Sequence, residues 1–211
     1  DIPMGKKTQS LKIRQMVLLA ILTGVILVLQ LTGFAIKLPF LGTSISLVLI
    51  PITLGAMILG PAAGAFLGFV FGAEVYIALG VLGMDPFTAY LFQQNPVATA
   101  GICLIKSTLA GFLSGLVFRL LRHRNRVAAT FTAALVTPVV NTGIFVLGCL
   151  LISGTLSGFM QANDIGGSVI YFLLIGCAGF NFLFEAALNL ILAPALGQLW
   201  HIAAHRFGTA D

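Results

Sequence analysis

The chain has 211 residues, of which 59% are hydrophobic and only 8% charged, and its mean hydropathy is +1.08. Soluble domains carry about 25% charged residues, so this chain cannot cover a water-facing surface, and a soluble globular fold is excluded. The formal net charge of +5 alone might suggest a nucleic-acid partner, but the basic residues gather at helix ends, which suits a membrane surface and no nucleic acid.

Lys6, Lys7, Lys12 and Arg14 stand before the first apolar stretch. Basic residues ahead of an apolar run also mark signal peptides. This run is long for one, however, and no small-residue cleavage site follows it, so it reads as a first span. Met4-Gly5-Lys6-Lys7 has the form of an ordinary start, which makes Asp1, Ile2 and Pro3 an expected added leader. A spanning helix needs roughly 20 apolar residues. Candidate stretches lie at 14–33, 46–60, 62–81, 97–119, 127–152 and 168–199, the second of them short. Gly60-Pro61 leaves almost no loop between the second and third. The expected fold is an all-α integral membrane protein, a six-transmembrane-helix bundle. Residues 14–205 form its single membrane domain, and 1–13 and 206–211 are short tails.

Arg119, Arg122, Arg124 and Arg126 join the fourth and fifth spans, and Arg206 follows the sixth. With an even number of spans these regions share one side with the N-terminal basic cluster. The positive-inside rule then predicts cytoplasmic N- and C-termini, with the segment RLLRHRNR near anionic headgroups. The longer connections, 34–45, 82–96 and 153–167, fall on the outer side. They carry Lys37, Asp85, Gln93, Gln94, Asn95, Asn163 and Asp164, and are read as irregular polar loops that suit ligand contacts.

Gly60, Gly64, Gly68 and Gly72 recur every fourth residue, and Ser107, Gly111 and Gly115 repeat the device on the fourth span. In lipid, small residues let helix backbones approach closely, so both rows are expected to pack within the bundle. Ala20 and Gly24 form a shorter pair on the first span that suits either packing or a partner subunit. Cys103, Cys149 and Cys177 lie apart in apolar stretches without metal-ligand spacing. No metal or other cofactor is expected.

Ionisable groups inside a span are costly and face an interior or a cavity. At about 1.5 Å per residue, Glu74, Lys106 and Asn141 fall near one depth, with Gln30 similar or slightly shallower. This level predicts an outward-opening pocket in which Lys106 meets a carboxylate or phosphate and Glu74 and Asn141 take hydroxyls or amides. The alternative is a self-neutralising Glu74–Lys106 pair. Asn181, Glu185 and Asn189 share one face of the last span. They read first as hydrogen-bonding glue between helices, with Asn181 the one placed for ligand. His123, His201 and His205 lie away from that depth, and no H-E-x-x-H, G-x-S-x-G or phosphate loop occurs. The chain therefore reads as a protein of binding and transport and not as an enzyme.

The segment SLVLIPITLGAMILGPAAGAFLGFVFG (46–72) resembles the substrate-binding (S) components of energy-coupling factor (ECF) transporters. FTAALVTPVVNTGIF (131–145), with Pro138 and Asn141, and DPFTAYLFQQNP (85–96) are similar to further segments of that family. The resemblance implies a subunit of the bacterial cytoplasmic membrane that binds a vitamin near the outer face. It implies partners too: a membrane scaffold (T) subunit and two ATPases, on which the bundle docks through a small-residue pair matched here by Ala20 and Gly24. Gln30, Lys37, Glu74, Gln93, Asn95, Lys106, Asn141 and Asn181 are the candidate substrate-binding residues. Pantothenate is the first expectation for the cargo, chiefly from the likeness around 137–143. Folate, riboflavin and hydroxymethylpyrimidine are alternatives, and so is a structural membrane protein whose polar residues only join helices.

Overall fold

The computed structural model describes residues 4–33 and 47–207; Lys37 and the connection at 34–45 lie outside them. The described residues form helices and turns, with no strand among them. In chain order the helices are α1 (Met4–Gly33), α2 (Leu49–Leu59), α3 (Pro61–Val75), α4 (Pro86–Gln94), α5 (Pro96–Leu121), α6 (Arg126–Leu151), α7 (Ser153–Ala162), α8 (Val169–Tyr171) and α9 (Phe180–Phe207). A π-helical stretch, Tyr76–Val81, prolongs α3, and a second, Phe172–Gly179, joins α8 to α9.

Leu11–Thr32, Pro61–Val81, Pro96–Leu121, Arg126–Leu151 and Val169–Ala204 are each long and apolar enough to cross a membrane, and α2 is a shorter apolar helix. This is a multi-pass helical membrane bundle. The helix α2 turns into α3 at Gly60, whose φ of 96° lies in the left-handed region that glycine enters without penalty. Pro61 then occupies the first position of α3, where its missing N–H has no intrahelical partner to lose.

Two of the connections expected to be irregular are helical instead. Asp85 caps α4, its Oδ2 accepting from the Thr88 backbone N–H at 2.8 Å and the Thr88 hydroxyl at 2.7 Å, and Pro86 starts the helix. The second such helix, α7, buries Leu156 and Met160.

The most extensively packed pair is α3 with α5, and its cause is the pair of small-residue rows. The two helices run antiparallel and in register. Gly64 lies against the Gly111 backbone, Gly68 against Ser107, Gly72 against Cys103, and Gly115 against Pro61. A Cβ on any of these glycines would meet backbone that cannot yield. The rows therefore act within the bundle, as the sequence suggests. Only 17% of the apolar window of α1 is buried, against 44% for those of α3 and α5, so α1 is peripheral. Leu22, Ile26 and Gln30 turn inward from it, while Ala20 and Gly24 are exposed on its other side.

Gly68→Val should separate α3 from α5 and cost several kcal/mol, in the upper range for single substitutions. Gly101→Val, at a position of the same helix pair where a Cβ meets nothing, should leave the unfolding temperature in detergent nearly unchanged.

Candidate functional site

At the end of the bundle that carries α4 and α7, a cavity of about 370 Å³ lies between the helices. Its size falls in the range of small-molecule sites, roughly 300–1,000 Å³. Phe71, Val75 and Leu79 line it from α3 and its π-helical extension. Thr99, Cys103 and Lys106 come from α5, and Asn141, Thr142 and Phe145 from α6. Cys177, Asn181 and Glu185 complete it from the last helical stretch, and Gln30 reaches it from α1. The two π-helical stretches both border the cavity, through Leu79 on one side and Phe172, Gly176, Cys177 and Ala178 on the other. Such local widenings of a helix often occur at functional sites.

Its roof is aromatic. The Phe87 ring stands edge-on to Phe159 at 5.2 Å, Phe172 at 6.0 Å and Phe145 at 6.4 Å between centroids. Phe159 in turn meets Tyr90 at 5.4 Å. Edge-to-face pairs at these separations add about 0.5–1.5 kcal/mol each beyond buried area. The rings tie α4 and α7 to α6 and to the π-helical stretch before α9.

The polar groups lie below. Lys106 places its ammonium 5.1 Å from the centroid of the Phe145 ring. Asn141 is held at the α5 contact, its Oδ1 accepting from the Ser107 hydroxyl at a long 3.4 Å. Asn181 donates through Nδ2 to Glu185 Oε1 at 3.1 Å. Glu185 is 2% exposed, yet its Oε2 and the Asn181 Oδ1 are buried without a hydrogen-bond partner. Lys106 and Glu185 both line the cavity without forming an ion pair. One turn further along α9, Asn189 donates to the Glu185 carbonyl at 2.9 Å and accepts from Thr53 at 3.4 Å. Thr53 also shares a 2.8 Å hydrogen bond with Thr137. The cavity thus offers, among the described residues, one cation, a buried carboxylate with a spare acceptor, and amide and hydroxyl groups within aromatic walls. Among the described residues no group of His, Cys, Asp and Glu could hold a metal ion.

Residues 14–197 match the family model described as "ECF transporter, substrate-specific component". The chain belongs to that family. It is also 27% identical over 169 residues to the pantothenate transporter PanT of Leuconostoc mesenteroides subsp. mesenteroides, covering 74% of this chain and 75% of that protein. No solved structure shows a significant match. As an ECF substrate-specific component it is part of a transporter and not an enzyme.

Of the residues expected to bind substrate in this ECF component, Gln30, Lys106, Asn141 and Asn181 are brought together at the cavity. Lys37 lies outside the described residues. Gln93 and Asn95 are exposed; Asn95 instead serves the start of α5, its carbonyl accepting from the Thr99 backbone and hydroxyl at 3.0 and 2.9 Å. Glu74 does not line the cavity. On α3 that role falls to the row Phe71, Val75, Leu79, and Glu74 sits about 100° around the helix from Val75. It forms no pair with Lys106, and its Oε2 is buried without a hydrogen-bond partner. Glu185, Thr99 and Thr142 line the cavity although the sequence reading did not single them out for ligand. The aromatic roof was likewise missed. For Glu185 a signal existed in its i, i+4 spacing from Asn181, which lies on the same cavity-facing row.

Phe87→Ala should remove the central ring of the roof and cost about 3–5 kcal/mol. The expected readout is a lowered unfolding temperature in detergent, with loss of any cavity ligand at lower denaturant than the parent protein.

Proposed function

We propose that this chain binds pantothenate at the α4–α7 end of the bundle and delivers it inward when coupled to a scaffold subunit and two ATPases. The observation that carries the reading is Lys106. Among the described residues it is the only basic side chain lining the cavity, and it stands opposite amide, hydroxyl and carboxylate acceptors. Pantothenate has a carboxylate at one end, hydroxyls at the other and an amide between. Its carboxylate suits the ammonium. Its hydroxyls suit Asn181 and Glu185, which has an oxygen to spare, and its amide suits Asn141. Similarity to a pantothenate transporter agrees with that assignment.

The topology that goes with this reading counts α2 as a sixth span. At roughly 1.5 Å per residue its 11 residues are too short to cross lipid alone. Its buried residues, from Leu49 through Ile58, meet protein on most sides, so it has little need to match the bilayer. An even count and the clustered basic residues support a topology with both termini in the cytoplasm and the cavity at the outer face of a bacterial plasma membrane. The exposed pair Ala20 and Gly24 is then the face that meets the scaffold. A Cβ at Gly24 would touch nothing within 4 Å, as a surface awaiting a second helix requires.

Native mass spectrometry of the purified chain against a panel of B vitamins tests the cargo. Tight one-to-one binding of pantothenate is expected, and tight binding of folate, riboflavin or hydroxymethylpyrimidine in its place would reassign it. Lys106→Met should weaken pantothenate binding by about 10–100-fold, the loss of a charge-assisted contact. Its effect on pantothenol, the uncharged alcohol, should be much smaller. Equal losses for both would remove Lys106 from the carboxylate. Ala20→Leu and Gly24→Leu should each abolish co-purification with the scaffold while vitamin affinity stays within twofold; a complex that survives both places the docking face elsewhere.

A further inference from the structure

A second pocket, of about 130 Å³, lies at the opposite end of the bundle and is lined by Arg122, His123, Arg126 and Trp200. The end of α5, the start of α6 and the last turns of α9 meet there. On α5 it lies about 24 Å from Lys106 at 1.5 Å per residue, so it is a site distinct from the cavity. We propose that it binds the phosphate headgroup of an anionic phospholipid.

Four features converge on that ligand. The Arg126 guanidinium carbon lies over the Trp200 ring, 5.6 Å from its centroid, and Trp200 is fixed in turn by an edge-on contact of 5.2 Å with Phe118. Trp200 is 4% exposed, so the platform under Arg126 is part of the packed core. A guanidinium held over an aromatic face still has N–H donors for phosphate oxygens, and its planar fork suits them.

The start of α6 adds donors. Asn125 Oδ1 takes the Ala128 N–H at 3.0 Å and the Asn125 carbonyl takes that of Ala129 at 2.9 Å. The N–H groups of Arg126 and Val127 remain outside the helical ladder, at the positive end of a 26-residue helix. Arg119 and Arg124, exposed and close in sequence to the lining residues, add further positive charge to this end of the bundle. The described carboxylates, Glu74, Asp85, Asp164 and Glu185, all belong to other parts of the molecule: α3, the α4 cap, the segment after α7, and the cavity stretch of α9.

The flanks decide between a lipid and a soluble phosphate. Leu120 and Val127 are each 67% exposed, Leu199 is 48% and Ile202 is 55%. They surround the basic pocket with apolar surface on all three helices, so a headgroup held there leaves its acyl chains against side chains that favour them. Basic pockets between spanning helices at a membrane boundary have this chemistry.

The test uses the full chain in neutral detergent, titrated with phosphatidylglycerol or phosphatidylcholine and read by native mass spectrometry. One phosphatidylglycerol should bind in preference to phosphatidylcholine. Arg126→Gln should weaken that binding about tenfold. Arg14→Gln, which makes the same charge change at an exposed site on α1, should leave it within twofold. Should Arg126→Gln not fold, Arg126→Lys keeps the charge but loses the planar fork, and should lower the preference by a smaller factor. Equal losses in the Arg14 and Arg126 variants would overturn the proposal in favour of diffuse attraction. Binding of inorganic phosphate with no preference between the two lipids would overturn it in favour of a soluble ligand.

Discussion

Everything in this bundle is referred to the backbone contact between α3 and α5. In lipid there is no hydrophobic drive between helices, so close packing has to hold them together, and here it does so through glycines set against backbone. Ser107 occupies the middle of that contact. Its backbone faces Gly68, and its single hydroxyl proton is shared between the Cys103 carbonyl at 3.3 Å and Asn141 Oδ1 at 3.4 Å. The residue before it, Lys106, is thereby turned about 100° away from α3 and towards α6. A fixed helix contact thus sets the direction of Lys106, the one cation lining the cavity among the described residues, and the same serine positions the amide beside it.

The cavity begins where the small-residue row ends. Beyond Gly72 the next position in the row is Tyr76, which opens the π-helical stretch and stands edge-on to Phe92 at 5.6 Å. A large side chain there cannot continue the backbone contact. The adjoining row of Phe71, Val75 and Leu79 instead meets open space roofed by the Phe87 cluster. Tight packing in the middle of the bundle and a cavity at its end follow from one change in side-chain size along one helix.

Much of this was legible in the sequence, because apolar length, small-residue spacing and polar residues in apolar runs are one-dimensional signals. The rows on α3 and α5 were read correctly as packing, and residue counting put Lys106 and Asn141 at a common level. Residue counting gives height along a helix but not direction around it. Glu74 shares that height and still misses the cavity, since Val75 and not Glu74 lies on the inward row. The opposite error concerned Glu185. Its neighbour Asn189 does join helices, through Thr53, while Glu185 one turn away borders the cavity. A single polar stripe serves two purposes along its length. The roof was invisible because its rings come from segments distant in sequence, although the Asp85-Pro86 cap with Thr88 was a local signal for α4.

The small pair on α1 shows why a motif must be judged by what faces it. Ala20 and Gly24 repeat the spacing that joins α3 to α5. At Gly64, Gly68 and Gly72 an added Cβ would run into the backbone of α5, whereas at Gly24 it meets nothing. Small side chains contribute little where they face lipid, because larger apolar groups would gain more dispersion contact with it. On α3 the internal contact explains the glycines fully. On α1 no contact among the described residues does, and an exposed small pair leaves room for the close approach of a further helix, as the proposed docking on the scaffold needs.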